Sequence, residues 1–221
     1  MQARLRTWAE RQSSRFAEAV PVPLNVPIRA LLAMEAHAFD LEVLQADPLY
    51  PRLSPGQARL AIATAIADGQ QRARHWKAPC DPGKIAASLG VPVVVAETGN
   101  CFGTVFQFAE YRSRPPGITI YRAAMDLLRG LISQHELAPA LGLNDPEPVY
   151  LAHEIYHHLD CLTPIARTIQ VTTLALGPVR LRSGLVSLKE IGASAFAAEV
   201  TGLRCHPRVL DLLARQALTG G

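Results

Sequence analysis

The chain has 221 residues, of which 49% are apolar and 19% are charged, and its formal net charge is +3. This composition is typical of a globular protein and excludes a disordered chain, while the small charge and the scattered basic residues give no indication of a nucleic-acid partner. The length suits one domain, or one domain with a helical extension.

The cysteines and the hydropathy pattern indicate a cytoplasmic protein. The four cysteines, at positions 80, 101, 161 and 205, are widely spaced and form no C-x-x-C pair, which argues against a zinc ribbon. The first 25 residues carry several charges and no apolar signal-peptide core. No apolar run reaches the roughly 18 residues of a membrane span. We therefore expect free thiols, a cytoplasmic location and no membrane partner.

Residues 1–77 are predicted to form a helical N-terminal extension. The pattern favours a helix over 1–20, a proline-broken linker and a second helix over 28–46. Ser54-Pro55 is typical of an N-cap and first helical position, and we expect the helix that follows to run to about Lys77. This region contains no catalytic motif and no convincing helix-turn-helix, so a direct role in nucleic-acid binding is not predicted.

The remaining residues, 78–221, are predicted to form an α+β domain with a small sheet. β-branched runs and turn residues indicate the strands, and helical patterns separate or follow them. In chain order the predicted elements are a helix over 83–89, strands over 91–97, 101–110 and 118–121, helices over 123–141 and 148–162, a hairpin of strands 168–176 and 179–186, and helices over 187–203 and 207–213.

The helix predicted over 148–162 carries the motif H-E-x-x-H, formed by His153, Glu154 and His157. Residues four apart lie on one face of a helix, so the two histidines can direct a ring nitrogen at the same metal ion. Glu154 lies about a third of a turn round, where it can reach a water on that ion but is poorly placed as a ligand. Metal-assisted hydrolysis needs this arrangement, because zinc lowers the pKa of a water and a carboxylate takes its proton. The alternative is a buried helix whose histidines merely form hydrogen bonds.

Other polar residues near the motif have structural explanations of their own. His158 points about 100° away from the second motif histidine, and we expect a packing or surface role for it. Asp160 lies too far along the helix axis for its short side chain to reach the metal, and we expect it to act as a cap or as a group that contacts a metal ligand. Tyr150, Tyr156 and His206 can each stabilise an oxyanion, but a structural role is commoner for each, and none is assigned.

Four segments, in this order, resemble the ImmA/IrrE-type zinc metallopeptidases, and together they span about residues 80–205. Residues 85–93 are similar to the opening helix and strand of that family, and 118–121 to the strand before its motif. Residues 151–159 resemble its A-H-E-x-x-H-x-L core, and 190–199 resemble its E-x-x-A-N-x-F-A-A-E segment.

The chain also departs from the family pattern. Tyr156 stands where the family often has glycine, and Ser194 stands where it often has asparagine. The gap between His157 and Glu190 is long for the family. These departures bear on the catalytic efficiency and the substrate that the resemblance implies more than on zinc binding.

The resemblance implies a zincin-like fold in which Glu190 is the third zinc ligand beside His153 and His157. The residues themselves favour Glu190 over Glu199, because two positions nine apart on one helix lie on opposite faces and only one can face the metal. The small side chains below Glu190 also permit that helix to approach the histidine helix closely. The simpler explanation of Glu190 is an acidic residue favoured at a helix N-terminus.

Two functions from different classes follow. The first is a zinc-dependent endopeptidase with Glu154 as its catalytic base, acting on a protein substrate; in several members of the family that substrate is a DNA-binding repressor. The second is a non-catalytic zincin-fold regulatory or binding module that holds zinc as a structural element and docks a partner through its helical first third. The complete motif favours the enzyme, because a purely structural zinc site has no use for Glu154.

Overall fold

The computed structural model describes residues 28–97, 101–102, 105–176 and 179–219. Over these residues the chain folds into a helix-rich α+β structure with a small three-stranded sheet, as the sequence predicts. The helix predicted over residues 1–20 lies outside the described residues. Among the helices that are described, none combines the length and the apolar content that crossing a membrane requires.

Helices make up most of the described chain. They are α1 (Ile28–Leu32), α2 (Ala36–Gln45), α3 (Pro55–His75), α4 (Pro82–Ser88), α5 (Arg122–Gln134), α6 (Ala138–Leu141), α7 (Glu147–Leu162), α8 (Leu188–Thr201) and α9 (Arg208–Thr219). The longest, α3, begins at its predicted cap: the Gln57 amide donates to the Ser54 hydroxyl at 3.3 Å, and the Ser54 amide donates to the Gln57 side chain at 2.8 Å. This capping box satisfies two N–H groups that would otherwise lack a partner in the first turn.

The strands form one sheet and two separate pairs. They are β1 (Val93–Ala96), β2 (Cys101–Phe102), β3 (Val105–Phe106), β4 (Ala109–Ser113), β5 (Pro116–Tyr121), β6 (Gln170–Leu176) and β7 (Val179–Gly184). β5 is the central strand of the sheet and runs parallel to β1 and antiparallel to β4. β6 pairs antiparallel with β7, which confirms the hairpin predicted before α8.

Three predicted elements are interrupted in the structure. The helix predicted over 28–46 is divided into α1 and α2, and the helix predicted over 123–141 is divided into α5 and α6. The second interruption contains Glu136, whose φ of 49° is left-handed and cannot continue a right-handed helix. The strand predicted over 101–110 is also divided, because β2 and β3 pair with each other and β4 begins separately.

The last helix is longer than predicted. The sequence interpretation ends it at residue 213, but α9 runs to Thr219. Its buried residues recur at helical spacing over the whole length and include Leu210, Ala214 and Ala217. This buried stripe, rather than local propensity, stabilises the final turns.

The apolar core consists of two clusters, and the helices before residue 77 contribute to both. Phe39 and Ala73 join the cluster that also contains the sheet, α5, α7 and α9. In the second cluster, Ile62 of α3 lies with Leu188 and Ile191 of α8. The division of the chain at residue 77 stays a prediction, while the side chains on its two sides share the same core.

α3, α8 and α7 meet at two glycines. A Cβ atom at Gly69 of α3 would collide with the carbonyl oxygen of Gly192 of α8 and lie 2.9 Å from the amide nitrogen of Phe196. A Cβ atom at Gly192 would collide with the hydroxyl group of Tyr156 of α7. The three helices therefore pack at a distance that only glycine permits at these two positions.

Gly69→Ala is expected to lower the free energy of unfolding by about 1–3 kcal/mol, because the added methyl group meets backbone atoms that cannot move aside independently. Gly130→Ala on α5 is the matched control, since a Cβ atom there meets nothing within 4 Å. Alanine at this helical position is expected to raise stability by about 0.5–1 kcal/mol. Denaturant unfolding of both variants measures the difference, and equal stability of the two would contradict the close packing of α3 on α8.

Candidate metal centre

α7 is fixed at its beginning by an arginine from α5. The guanidinium group of Arg129 lies 2.6 Å from the carboxylate of Glu147, 3.1 Å from that of Asp145 and 2.8 Å from that of Asp126. Acidic side chains at the start of a helix are also favoured by its macrodipole. These contacts hold the end of α7 from which the motif residues follow.

One side of α7 is buried and the other carries the motif. Val149, Ala152, Ile155 and Tyr156 have at most 1% of their surface exposed, and β4, β5 and α8 pack against this helix. Burial of this apolar side fixes the rotation of the helix about its axis. The rotation leaves His153 and His157 partly exposed on the same side.

The motif residues come together as the spacing predicts. The rings of His153 and His157 lie with their centroids 4.8 Å apart and their planes at 77°. Potential ligand atoms of these two histidines and of Glu154 all lie within 4.8 Å of one another, so the group can hold a metal ion. Glu154 itself is almost buried, with 9% of its surface exposed.

Glu190, in the first turn of α8, reaches the same cluster. One oxygen of its carboxylate, Oε2, lies 3.3 Å from Nε2 of His153 and 3.5 Å from Nε2 of His157. Two ligands bound tetrahedrally at about 2.0–2.1 Å are about 3.3 Å apart, so these separations fit three ligands of one zinc ion. A carboxylate oxygen can accept two hydrogen bonds, so the same two distances also fit a carboxylate that bridges the two rings without a metal.

The electrostatics of the cluster favour a cation. Burial acts to lower the pKa of His153, but the hydrogen bond with Glu190 and the surrounding carboxylates together raise it. Burial acts to raise the pKa of the Glu190 carboxyl, but the two histidines act more strongly and hold that pKa well below its usual range. Glu190 is therefore negatively charged, as a metal-ligating carboxylate must be. A histidine ligates in its neutral form, so a bound cation displaces any proton from these rings.

The cluster opens into a groove with a volume of about 870 Å³. His153, Glu154 and Glu190 line it where α7 faces α8. Gln107 and Phe108, just before β4, form part of one wall. Further along, the wall consists of residues of α2 and of one side of α9. A groove of this size can hold a ligand as large as a short peptide beside the cluster.

Residues that the sequence interpretation set aside as ligands have other partners. Asp160 accepts a 2.7 Å hydrogen bond from the amide of Ile165, so it caps the turn after α7. His158 forms a 3.0 Å hydrogen bond through Nδ1 with the hydroxyl of Tyr111. Glu199 lines a separate, smaller pocket on the other side of α8.

Each of the three candidates for stabilising an oxyanion has a carboxylate as its hydrogen-bond partner. The hydroxyl of Tyr150 donates to Asp211 at 2.8 Å, and that of Tyr156 donates to Asp68 at 2.6 Å. His206 lies 3.2 Å from the carboxylate of Asp40 and stacks on a phenylalanine ring. None of the three offers a free donor to the groove beside the cluster.

The sequence interpretation did not assign α9 or Lys189 to the site. Arg208, Asp211, Leu212 and Arg215 line the groove, and their spacing along α9 is that of one helical face. That spacing is visible in the sequence, but a helix predicted to end at residue 213 obscures it. The ammonium group of Lys189 lies 3.8 Å from Oε1 of Glu190 and also lines the groove.

No protein-family model, curated protein or solved structure matches this chain. The class of the protein is therefore defined by its own fold and residues: a helix-rich α+β protein with a His-Glu-x-x-His cluster that can hold a metal ion.

Proposed function

We propose that the protein is a zinc-dependent endopeptidase with a zincin-like fold, in which His153, His157 and Glu190 are the zinc ligands and Glu154 is the general base and then the general acid. One observation carries this proposal: Oε2 of Glu190 lies 3.3 and 3.5 Å from the two histidine nitrogens, while Glu154 belongs to the same cluster. Three protein ligands and a separate carboxylate are the composition of a hydrolytic zinc site.

The composition of the site supports catalysis over a purely structural role. Structural zinc sites usually have four protein ligands and are closed, whereas catalytic sites keep one position for water or substrate. Here two imidazoles and a carboxylate would supply three ligands, and His153, Glu154 and Glu190 line a groove of about 870 Å³. Two nitrogens and one oxygen suit zinc better than magnesium or calcium, which prefer oxygen ligands.

The proposed reaction uses the residues of α7 for proton transfer. The chemistry that zinc supplies in such a site is polarisation of the scissile carbonyl and a lowered pKa of water. Glu154 takes a proton from the attacking water, a role that its place in the same cluster as the two histidines supports. The same carboxyl group then gives the proton to the leaving amine nitrogen as the peptide bond breaks.

The position of β4 supports an extended peptide as the substrate. This strand lies at one edge of the three-stranded sheet, and the residues just before it line the groove. An extended chain can add to a free strand edge through main-chain hydrogen bonds. Such binding reads the peptide backbone, which suits an enzyme that acts on protein chains.

The proposal extends to the protein family and to the kind of substrate. The four segments that resemble the ImmA/IrrE-type metallopeptidases support membership of that family, and a DNA-binding repressor in the cytoplasm is then a candidate substrate. Recognition of such a protein needs no direct contact with nucleic acid, in keeping with the small net charge of +3.

Cleavage assays with and without chelator test the proposal. The zinc-loaded protein is incubated with an unfolded protein and, separately, with a DNA-binding repressor encoded beside it. We expect new fragments, their loss in excess chelator and their return when zinc is restored. Cleavage that persists in chelator would contradict a metallopeptidase. Binding of the repressor without cleavage would favour the non-catalytic module.

A further inference from the structure

One tyrosine that has no role in the proposed reaction lies between the helices around the proposed metal site. Tyr156 precedes His157 on α7, and none of its surface is exposed. Its hydroxyl donates a 2.6 Å hydrogen bond to Oδ2 of Asp68, which lies on α3 and 88 residues earlier in the chain. A hydrogen bond of this length to a carboxylate is strong and directional.

Arg72 holds the carboxylate of Asp68 in place. Its Nε lies 2.7 Å from Oδ2 of Asp68, and its guanidinium carbon lies 5.1 Å from the centroid of the Tyr156 ring. The same guanidinium group donates to the carbonyl oxygen of Thr163, just after α7, at 2.8 Å. The tyrosine, the carboxylate and the arginine therefore form one connected network between α3 and α7.

The hydroxyl end of the tyrosine also touches α8, the helix that carries the proposed third ligand. The hydroxyl of Tyr156 lies against Gly192, where a Cβ atom would collide with it, and Glu190 is two residues earlier on α8. The depth at which α8 lies against α7 therefore depends on where the tyrosine ring is held. Glu190 lies in the first turn of the same helix, so a change in that depth would move its carboxylate relative to the two histidines.

A second carboxylate from the first third of the chain holds the start of α8. Oδ2 of Asp47 accepts a buried 2.9 Å hydrogen bond from the amide of Ser187, and Oδ1 accepts from the amide of Leu49 at 2.9 Å. Ser187 directly precedes α8. The two helices of the metal site are thus held by two carboxylates from outside it, Asp68 and Asp47.

We propose that Tyr156, anchored by Asp68, is a positioning residue of the metal site: it sets the separation of α7 and α8 at which Glu190 meets both histidines. The inference rests on the metal site proposed above, and it makes α3 a functional part of that site. A phenylalanine fills nearly the same volume as the tyrosine but lacks the hydroxyl group that fixes the ring against Asp68. Loss of the hydroxyl should therefore change the metal site more than the fold.

Metal binding by matched variants tests this role. Zinc affinity of the full-length apoprotein is measured by competition with an indicator, and visible absorption of bound cobalt reports the coordination geometry. The variants are Tyr156→Phe, Asp68→Ala, their combination, and Asp68→Asn, which keeps an acceptor for the hydroxyl. Ile132→Val is the control, because it removes one methylene from a fully packed side chain on α5, away from the ligands.

We expect Tyr156→Phe and Asp68→Ala each to weaken zinc binding about tenfold and to alter the cobalt spectrum, as loss of a supporting contact around metal ligands does. The double variant should bind no more weakly than the weaker single variant, because both remove the same contact. Asp68→Asn and Ile132→Val should resemble the wild type.

Wild-type affinity and an unchanged cobalt spectrum in Tyr156→Phe would overturn the inference, and additive losses in the double variant would overturn the role of Asp68. If Tyr156→Phe fails to fold, the zinc affinity and cobalt spectrum of Asp68→Ala test the positioning role, because this variant leaves the tyrosine ring in the core. A wild-type protein that binds neither zinc nor cobalt removes the proposed metal site and this inference together. If only the predicted effect of Tyr156→Phe is absent, the proposed metal site is unaffected.

Discussion

Glu154→Gln is expected to purify with about one zinc ion per chain and to lose about 100- to 10,000-fold in the rate of cleavage. Glu154 lies in the cluster, but it is Glu190 whose single oxygen faces both histidine nitrogens. Glutamine keeps the size of the side chain and cannot take a proton from water. The ligands should therefore survive the change while proton transfer is lost. Metal analysis and a cleavage assay on the same preparation measure both parts.

Glu199→Gln is the matched control for this experiment. It makes the same chemical change on α8, in a residue that lines a different pocket, and it should leave both zinc content and cleavage unchanged. A Glu154→Gln protein that purifies without metal would mean that Glu154 is a ligand. A variant that cleaves as fast as the wild type would remove Glu154 from the reaction.

Glu190→Ala is expected to weaken zinc binding by more than about a hundredfold, because loss of a direct ligand costs more than loss of a contact that supports one. The carboxylate is nearly equidistant from the two histidine nitrogens, at 3.3 and 3.5 Å, and among the described residues no other acidic side chain forms an ion pair with both. Zinc affinity of the apoprotein measures the loss, with folding monitored by circular dichroism.

Variants of two other acidic residues are controls that distinguish a metal ligand from a nearby negative charge. Glu199→Ala should keep wild-type zinc affinity, because Glu199 points to the other side of α8. Asp160→Ala removes the cap on the amide of Ile165 and should lower stability while leaving zinc affinity nearly intact. Equal affinity in Glu190→Ala and in these two variants would remove Glu190 from the site.

The features that local sequence could predict are those whose causes lie within a few residues. The start of α3 follows from Ser54 and Gln57, which cap each other three residues apart. The meeting of His153 and His157 follows from helical spacing alone. The pairing of β6 with β7 follows from two apolar runs on either side of a Gly-Pro pair in the sequence.

The features that sequence could not predict depend on contacts between distant residues. The hydrogen bond of Tyr156 to Asp68 joins positions 88 apart, and nothing near either residue indicates it. The small residues below Glu190 predict a close helix approach, but sequence alone does not indicate that Gly69 and Gly192 lie where an added Cβ atom would collide with a neighbouring helix. The division of the helix over 123–141 depends on the left-handed backbone of Glu136, at a residue type that ordinarily continues a helix.

The groove illustrates the same limit for function. The wall formed by α7 could be predicted because the motif is contiguous on that helix. Its far wall could not, because Arg208 and Asp211 reach it only through the packing of α9 and the full length of that helix. The residues of the far wall are thus harder to predict here than the residues of the motif.

Anomalous diffraction at the zinc edge from crystals of the zinc-loaded protein tests the central claim most directly. We predict a single strong peak per chain, about 2.0–2.2 Å from Nε2 of His153, Nε2 of His157 and a carboxylate oxygen of Glu190, with Glu154 not bonded to it. A chain without a peak at this cluster, or a peak whose ligands include Glu154 in place of Glu190, would contradict the account.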